Sequence, residues 1–272
     1  MWGRALPPVQ AGQSPARTNL PNSTTIAIVA ALDREVRPLI KNWRHVKYQH
    51  DGRTFEFFEQ DRSVVVCGGI GAEAARRATE AIINLYHPAL IQSVGFAGAL
   101  DSTLKVGNIF MPVRIIDAKD GSRIETGSGT GMLLTVPAIS GVAQKAKFAT
   151  AYGANAIDME AAAVARGAQS HGLQFKAVKA ISDEHDFEMP PMERFIRHDG
   201  QFRTAAFAVF IAIRPWLWTK AARLARNSAK ASDALCAWLS QQDRDLEKLE
   251  NSGSESHLIK ATQPQATVQQ WR

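Results

Sequence analysis

The stretch Ala156-Ile157-Asp158-Met159-Glu160-Ala161-Ala162-Ala163, followed by Lys179-Ala180-Ile181-Ser182-Asp183, decides the reading of this chain. Glu160 opens an alanine-rich segment that reads as a helix to about residue 170. The apolar run 175–181 reads as a buried strand with Ser182 and Asp183 at its exit. Two carboxylates therefore stand at the mouths of consecutive elements. In open α/β sheets that is where ligands bind, in the crevice outside the carboxyl ends of the strands.

Working outward, residues 26–32 and 64–67 read as strands and residues 72–86 as a helix ended by His87-Pro88. Residues 89–94, 108–116 and 131–136 read as further strands and 141–152 as helix or loop. Strands alternating with helices predict one three-layer α/β domain with a mainly parallel central sheet flanked by helices. The expected organisation is a disordered leader over 1–22, a catalytic domain over 23–213, a helical extension over 214–250 and a disordered tail over 251–272.

Composition narrows the class. A chain of 272 residues with 45% hydrophobic side chains can bury a full core. The proline-punctuated leader lacks the continuous apolar core of a secretory signal. Cys67 and Cys236 give neither a disulfide framework nor metal-ligand spacing, so the expected compartment is a reducing cytoplasm. The net charge of +6 comes with no nucleic-acid-binding motif, and much of the excess lies between Arg214 and Lys230. It reads as a solvated basic face, with no nucleic-acid partner.

The pattern of Asp158 to Ala165, followed by Lys179 to Asp183, resembles the signature pair of the nucleoside phosphorylase/nucleosidase superfamily. The likeness is to its methylthioadenosine/S-adenosylhomocysteine nucleosidase branch above all. Other blocks agree in order: Ile26-Ala27-Ile28-Val29-Ala30-Ala31-Leu32-Asp33-Arg34-Glu35, then Gly68-Gly69-Ile70-Gly71, then Ser93-Val94-Gly95-Phe96-Ala97-Gly98. The resemblance covers about residues 24–213. It implies release of adenine from a small-molecule nucleoside by hydrolysis, a place in methionine salvage, a homodimer, and no metal or organic cofactor.

Cleaving a purine–ribose bond puts positive charge on the sugar and negative charge on the leaving base. The reaction therefore needs an acid at the base and anionic or polar groups around the sugar. Asp183 fits the acid: a protonated carboxyl donates to purine N7 while its other oxygen accepts from an exocyclic amine. Such a role needs a raised pKa, which a dry strand exit supplies. Ser182 would orient it; the plainer reading is that both residues cap the next segment. Glu160 fits an acceptor for the ribose hydroxyls, or a first-turn carboxylate beside a helix dipole. Met159 would pack on the sugar or in the core, and Asp158 reads as an outward-facing neighbour. The resemblance makes Glu35 the group that positions the attacking water. Alternatively Glu35 is a surface carboxylate near Arg34 and Arg37, basic neighbours that leave phosphorolysis as the second reaction. Gly71, Ala97 and Gly98 would bring backbone to the ligand, and Ile139, in Val136-Pro137-Ala138-Ile139, would wall the purine.

Three departures from the family pattern stand out. Phe96 occupies a position where a small hydroxyl residue is usual. Residues 118–130 are short, polar and glycine-rich where the family has a longer pocket-forming region, so a more open pocket is expected. The chain continues past residue 213 through Trp216 and Trp218 into Lys220, Arg223, Arg226 and Lys230. Trp216, Trp218 and Trp238 would pack on the body or a dimer partner. The second reading is peripheral contact of 214–230 with an anionic membrane surface, which would suit a lipophilic nucleoside such as the adenosyl-hopanoid of a related phosphorylase branch. A catalytically silent nucleoside-binding scaffold is the non-enzyme reading. His185 and Asp186 read as loop residues or a purine-side pair, without the partners a metal site needs.

Overall fold

A computed structural model describes residues 25–261. Strand β1 (Ile26–Ala30) leads into helix α1 (Asp33–Ile40), and β2 (Arg44–His50), β3 (Arg53–Gln60) and β4 (Ser63–Cys67) form the meander after it. Helix α2 (Ala72–Tyr86) precedes the long strand β5 (Leu90–Ala99). Short strands β6 (Ile109–Phe110), β7 (Arg114–Asp117), β8 (Arg123–Glu125) and β9 (Met132–Thr135) come next, then α3 (Val142–Tyr152) and β10 (Ala156–Asp158). Helix α4 (Ala161–Ser170), β11 (Gln174–Asp183), α5 (Thr204–Ala212) and α6 (Trp218–Ala261) complete the body.

One sheet runs β2-β3-β4-β1-β5-β10-β9-β7-β8, with β11 pairing to β5 and β6. Its centre is parallel, β1 lying between β4 and β5, and β5 beside β11. Antiparallel pairing is found toward the edges and where β10 meets the end of β5. The central strands are buried on both faces and accordingly read as unbroken apolar runs: all five residues of β1 are buried. On one face, Ala75, Ala78 and Ile82 of α2 and Val164 and Ala168 of α4 form a core with Val29, Val64 and Ile91. On the other, Val36 and Ile40 of α1 meet Ala231, Leu235 and Leu239 of α6 over Ile28, Val65 and Val178. This is the three-layer α/β architecture that the sequence predicts.

The differences have local causes. The predicted strand 108–116 is two strands, because Pro112 has no N–H to offer a ladder and separates β6 from β7. The hairpin of β2 and β3 escapes the sequence reading, yet Asp51-Gly52 carries its signal: both have positive φ, 48° and 71°, as a tight hairpin turn requires. The polar segment 118–130 contains β8, folded back on β7, with Arg166 held by Asp117 and Asp120. Helix α6 is continuous through residue 251, where a tail was expected, to Ala261. Its Ser232 hydroxyl donates to the Glu35 carbonyl at 3.1 Å, so this extension packs into the body that carries the site. The expected leader lies outside the described residues.

Candidate active site

Four chain segments converge at the carboxyl ends of the parallel strands. They are the turn after β1, the end of β5, the β10–α4 junction and the end of β11. Ala31, Leu32 and Glu35 line a cavity together with Phe96, Ala97 and Gly98 and with Asp158, Met159, Glu160, Ser182 and Asp183. Ile139 contributes from the loop before α3. Gly71 meets the site differently: its backbone N–H donates to Glu160 Oε1 at 2.7 Å, so the amide is engaged by the protein's own carboxylate. His185 and Asp186 are not among the lining residues, and no residue of 118–130 is.

Glu35 is folded inward from α1. Its Oε2 accepts from the backbone N–H groups of Ala31 and Leu32 at 3.2 and 3.3 Å. Burial pushes its pKa up, against the opposing pull of Lys179, the two amides and Arg34. The chain makes room for this carboxylate at Gly95, where φ is 150° and a Cβ would sit 2.8 Å from Glu35 Oε2. Glu35 is therefore a buried, nearly dry carboxylate, and the surface reading of it does not hold.

Glu160 caps the start of α4 by position but turns its side chain away from that helix. Besides Gly71, its own neighbour Met159 donates a backbone N–H to it at 3.2 Å. Burial first, and then the nearby Asp158 and Glu35 carboxylates, raise its pKa to about 8, while Lys179 and the Gly71 amide pull it down. The capping of α4 falls to Asp158 instead. Its Oδ2 accepts from the Ala161 N–H at 2.8 Å and its Oδ1 from the Thr135 hydroxyl at 2.7 Å. Far from facing outward, Asp158 is 5% exposed and ion-paired at 2.9 Å with Lys179. Lys179 donates also to Ser93 at 3.0 Å. Burial opposes the Lys179 ammonium, but Asp158, Glu160 and Glu35 outweigh it, and its pKa is raised.

Asp183 is brought in by an irregularity at the end of β11. The register with β5 slips between Ile181 and Asp183, so that Ile181 pairs with Ala97 and Asp183 with Gly98. The slip turns Ser182 and Asp183 toward the same place, and the Ser182 hydroxyl donates to Asp183 Oδ1 at 2.7 Å. A Cβ at residue 98 would lie 2.8 Å from Asp183 Oδ2, which accounts for the glycine. The second oxygen is ion-paired with Lys145 of α3, a lysine only 1% exposed that also donates to the Glu184 carbonyl at 2.8 Å. Lys145 lines the cavity and is absent from the sequence reading. Arg34 lines it too, with its guanidinium over the Phe202 ring.

A cavity lined by four carboxylates, Glu35, Asp158, Glu160 and Asp183, two of them paired with buried lysines, provides groups for proton transfer at a leaving group and for stabilising positive charge on a substrate. Among the described residues no cluster of side chains is suited to hold a metal.

Comparison with known proteins agrees with this arrangement. The family model described as the phosphorylase superfamily matches residues 25–131 and 128–213. A 5'-methylthioadenosine/S-adenosylhomocysteine nucleosidase of Staphylococcus aureus (strain bovine RF122 / ET3-1) is 27% identical over 202 residues, 58% of this chain and 86% of the relative. The nucleosidase of the same name from Buchnera aphidicola subsp. Schizaphis graminum is 30% identical over 90 residues, and the match spans only 38% of that relative's length. Among solved structures, the futalosine hydrolase of Helicobacter pylori strain 26695 superposes with a TM-score of 0.58 at 16% identity, covering 80% of this chain and 98% of that one. A Helicobacter pylori nucleosidase mutant with 5'-methylthioadenosine in its active site gives 0.58 at 17%, over 80% and 99%. At such identities the structures speak for the fold alone. The family match, which runs from the residue before β1 to the one after α5 and takes in every strand of the sheet, shows that the chain belongs to the phosphorylase superfamily.

Proposed function

We propose that the protein hydrolyses the N-glycosidic bond of an adenine nucleoside of the methylthioadenosine/S-adenosylhomocysteine type. The observation that carries this reading is the convergence of Glu35, Glu160 and Asp183, from three separate segments, on one cavity. Asp183 faces the leaving base. Glu160 accepts from the ribose hydroxyls and, when ionised, stabilises the cationic sugar. Glu35 orients water for attack at C1′, and its raised pKa suits it to take the proton that the water loses. Met159 and Phe96 pack on the sugar, and Ile139 with the Ala97–Gly98 backbone on the base. The named relatives support this substrate class.

Phosphorolysis is the second reading, favoured by one observation: Arg34 lines the cavity as a cation that an oxyanion could meet. The test is adenine release from methylthioadenosine and from S-adenosylhomocysteine, each with and without phosphate. Release without phosphate supports hydrolysis, and release only with phosphate moves the protein to the phosphorylases. Binding of both nucleosides without release leaves a nucleoside-binding scaffold.

A second copy of this chain is the partner we assign to the apolar surface of α5. Val209 and Ile213 are 63% and 66% exposed there, beside Trp216 and Trp218. Trp238, by contrast, packs against the α1–α6 core. A homodimer in the cytoplasm is expected by light scattering; a monomer that floats with anionic liposomes would assign the surface to a membrane instead. No helix among the described residues is long and apolar enough to cross a membrane.

A further inference from the structure

We propose that helix α6, through Leu224, closes the end of the cavity that receives the 5′ substituent and makes the protein selective for adenine nucleosides whose substituent is uncharged and apolar. The inference rests on the N-glycosidase reading above and divides the two nucleosides that the relatives' name joins. The methylthio group is accepted, and the amino-acid tail of S-adenosylhomocysteine is refused.

With the base on Asp183, the ribose hydroxyls on Glu160 and the water on Glu35, one stretch of wall is left for whatever the sugar carries at C5′. It consists of Ile70 from the turn before α2, Met189, Met192 and Ile196 from the segment between β11 and α5, and Leu224 from α6. All five are apolar, and the two methionines are unbranched thioethers that adapt to apolar groups of varied shape. Among the described residues, no carboxylate from 184–200 lines the cavity. The four carboxylates that do are engaged, Asp158 with Lys179 and the others with the base, the ribose and the water. Of the two lining cations, Lys145 is taken by Asp183, and Arg34 lies 5.2 Å from the centre of the Phe202 ring. A zwitterionic tail against this wall would shed water without gaining partners.

Leu224 reaches this place because α6 keeps one apolar stripe. Ala231, Leu235 and Leu239 seat the helix on the core, and Leu224, two turns before Ala231, falls on the same face. Ser232 fixes the helix against the site, its hydroxyl donating to the carbonyls of Arg34 and Glu35 at 3.2 and 3.1 Å. The neighbouring Arg223 guanidinium lies 5.0 Å from the centre of the buried Phe187 ring, which ties α6 to the segment that carries the methionines. Leu224 stands beyond the residues that the family model matches, so the family pattern does not prescribe this part of the wall.

The test measures kcat and KM for adenine release from methylthioadenosine, 5′-butylthioadenosine and S-adenosylhomocysteine in wild type, Leu224→Ala and Leu224→Arg. Ratios of kcat/KM between substrates on one preparation do not depend on how much of a variant folds, so a structural defect alone leaves them unmoved. In wild type, kcat/KM is expected to rise by about fourfold for each methylene buried between methyl and butyl. For S-adenosylhomocysteine it should be about 10²-fold lower than for methylthioadenosine. Leu224→Ala should lose most of the preference for butylthio, through KM. Leu224→Arg supplies a partner for the tail's carboxylate and should raise S-adenosylhomocysteine relative to methylthioadenosine by about tenfold. Equal kcat/KM for these two nucleosides in wild type would overturn the proposal and leave the N-glycosidase reading standing, as would unchanged ratios in both variants. Release from none of the three would remove that reading, and the selectivity with it.

Discussion

Two buried lysine–aspartate pairs stand in this fold, and they are built for different ends. In the pair of Lys179 and Asp158 both groups are held by the protein's own partners, although Asp158 also lines the cavity. Asp158 accepts from Thr135, Ala161 and Lys179, and Lys179 donates to Ser93. It ties β11 to the start of α4 and leaves Glu160, two residues on, free to turn toward the cavity. In the pair of Lys145 and Asp183 both side chains line the cavity, and a backbone irregularity and a glycine make room for them. The same two residue types thus serve as frame in one place and as chemistry in the other. The pairs differ at the lysine: Asp158, Asp183 and Lys145 all line the cavity, whereas Lys179 does not.

That contrast predicts effects of different kinds. Asp183→Asn should lower kcat for adenine release by about 10² to 10⁴-fold, as loss of a group at the leaving base does, and should also lower the melting temperature, because it leaves the buried Lys145 ammonium without its counter-ion. An unchanged kcat would put this pair in the frame alone. Lys179→Met strands a buried carboxylate, and chemical denaturation should show a loss of about 3–5 kcal/mol. A loss below about 1 kcal/mol would mean that Asp158 is held well enough by Thr135 and the helix terminus alone.

Gly98→Ala sharpens the comparison without changing a charge. Its methyl group would press on Asp183 Oδ2 and Lys145 together. We expect about 1–3 kcal/mol of destabilisation, from melting, together with reduced kcat. The smallest effect concerns Glu160, whose pKa is raised to about 8 from 4.5. A carboxyl more readily protonated in the folded chain favours folding below its ordinary value, and that advantage is lost as pH rises through about 8. The wild-type melting temperature should therefore fall between pH 5 and pH 8 by a larger margin than that of Glu160→Gln. Equal slopes in calorimetry would place the cost of the buried charge elsewhere.

Most of this site could be read in the sequence because it is written in short contiguous words. Met159-Glu160 and Ser182-Asp183 each sit where a strand gives way to the next segment, and the strand period already fixes which residues emerge at the carboxyl edge. Glu35 lies one turn into α1 and Phe96 to Gly98 at the end of β5, so placing the strands places these residues too. Lys145 could not be found in this way. It belongs to a helix without a strongly apolar face, and Lys147, two residues on, is exposed. Nothing local distinguishes the two lysines; only the arrival of β11 beside α3 makes one of them buried. Lys179 did carry a signal, since a lysine inside an apolar strand is almost never fully buried without a partner. A lysine in that position asks for a buried carboxylate, and Asp158 supplies it. The β2–β3 hairpin was equally legible through Asp51-Gly52.

The most direct test of this mechanism is a crystal structure with a non-cleavable adenine nucleoside analogue bound. The purine edge is predicted to lie against Asp183, with the ribose hydroxyls on Glu160 and a water between Glu35 and C1′. A nucleoside bound with its base turned away from Asp183, or lying outside this cavity, would contradict the mechanism.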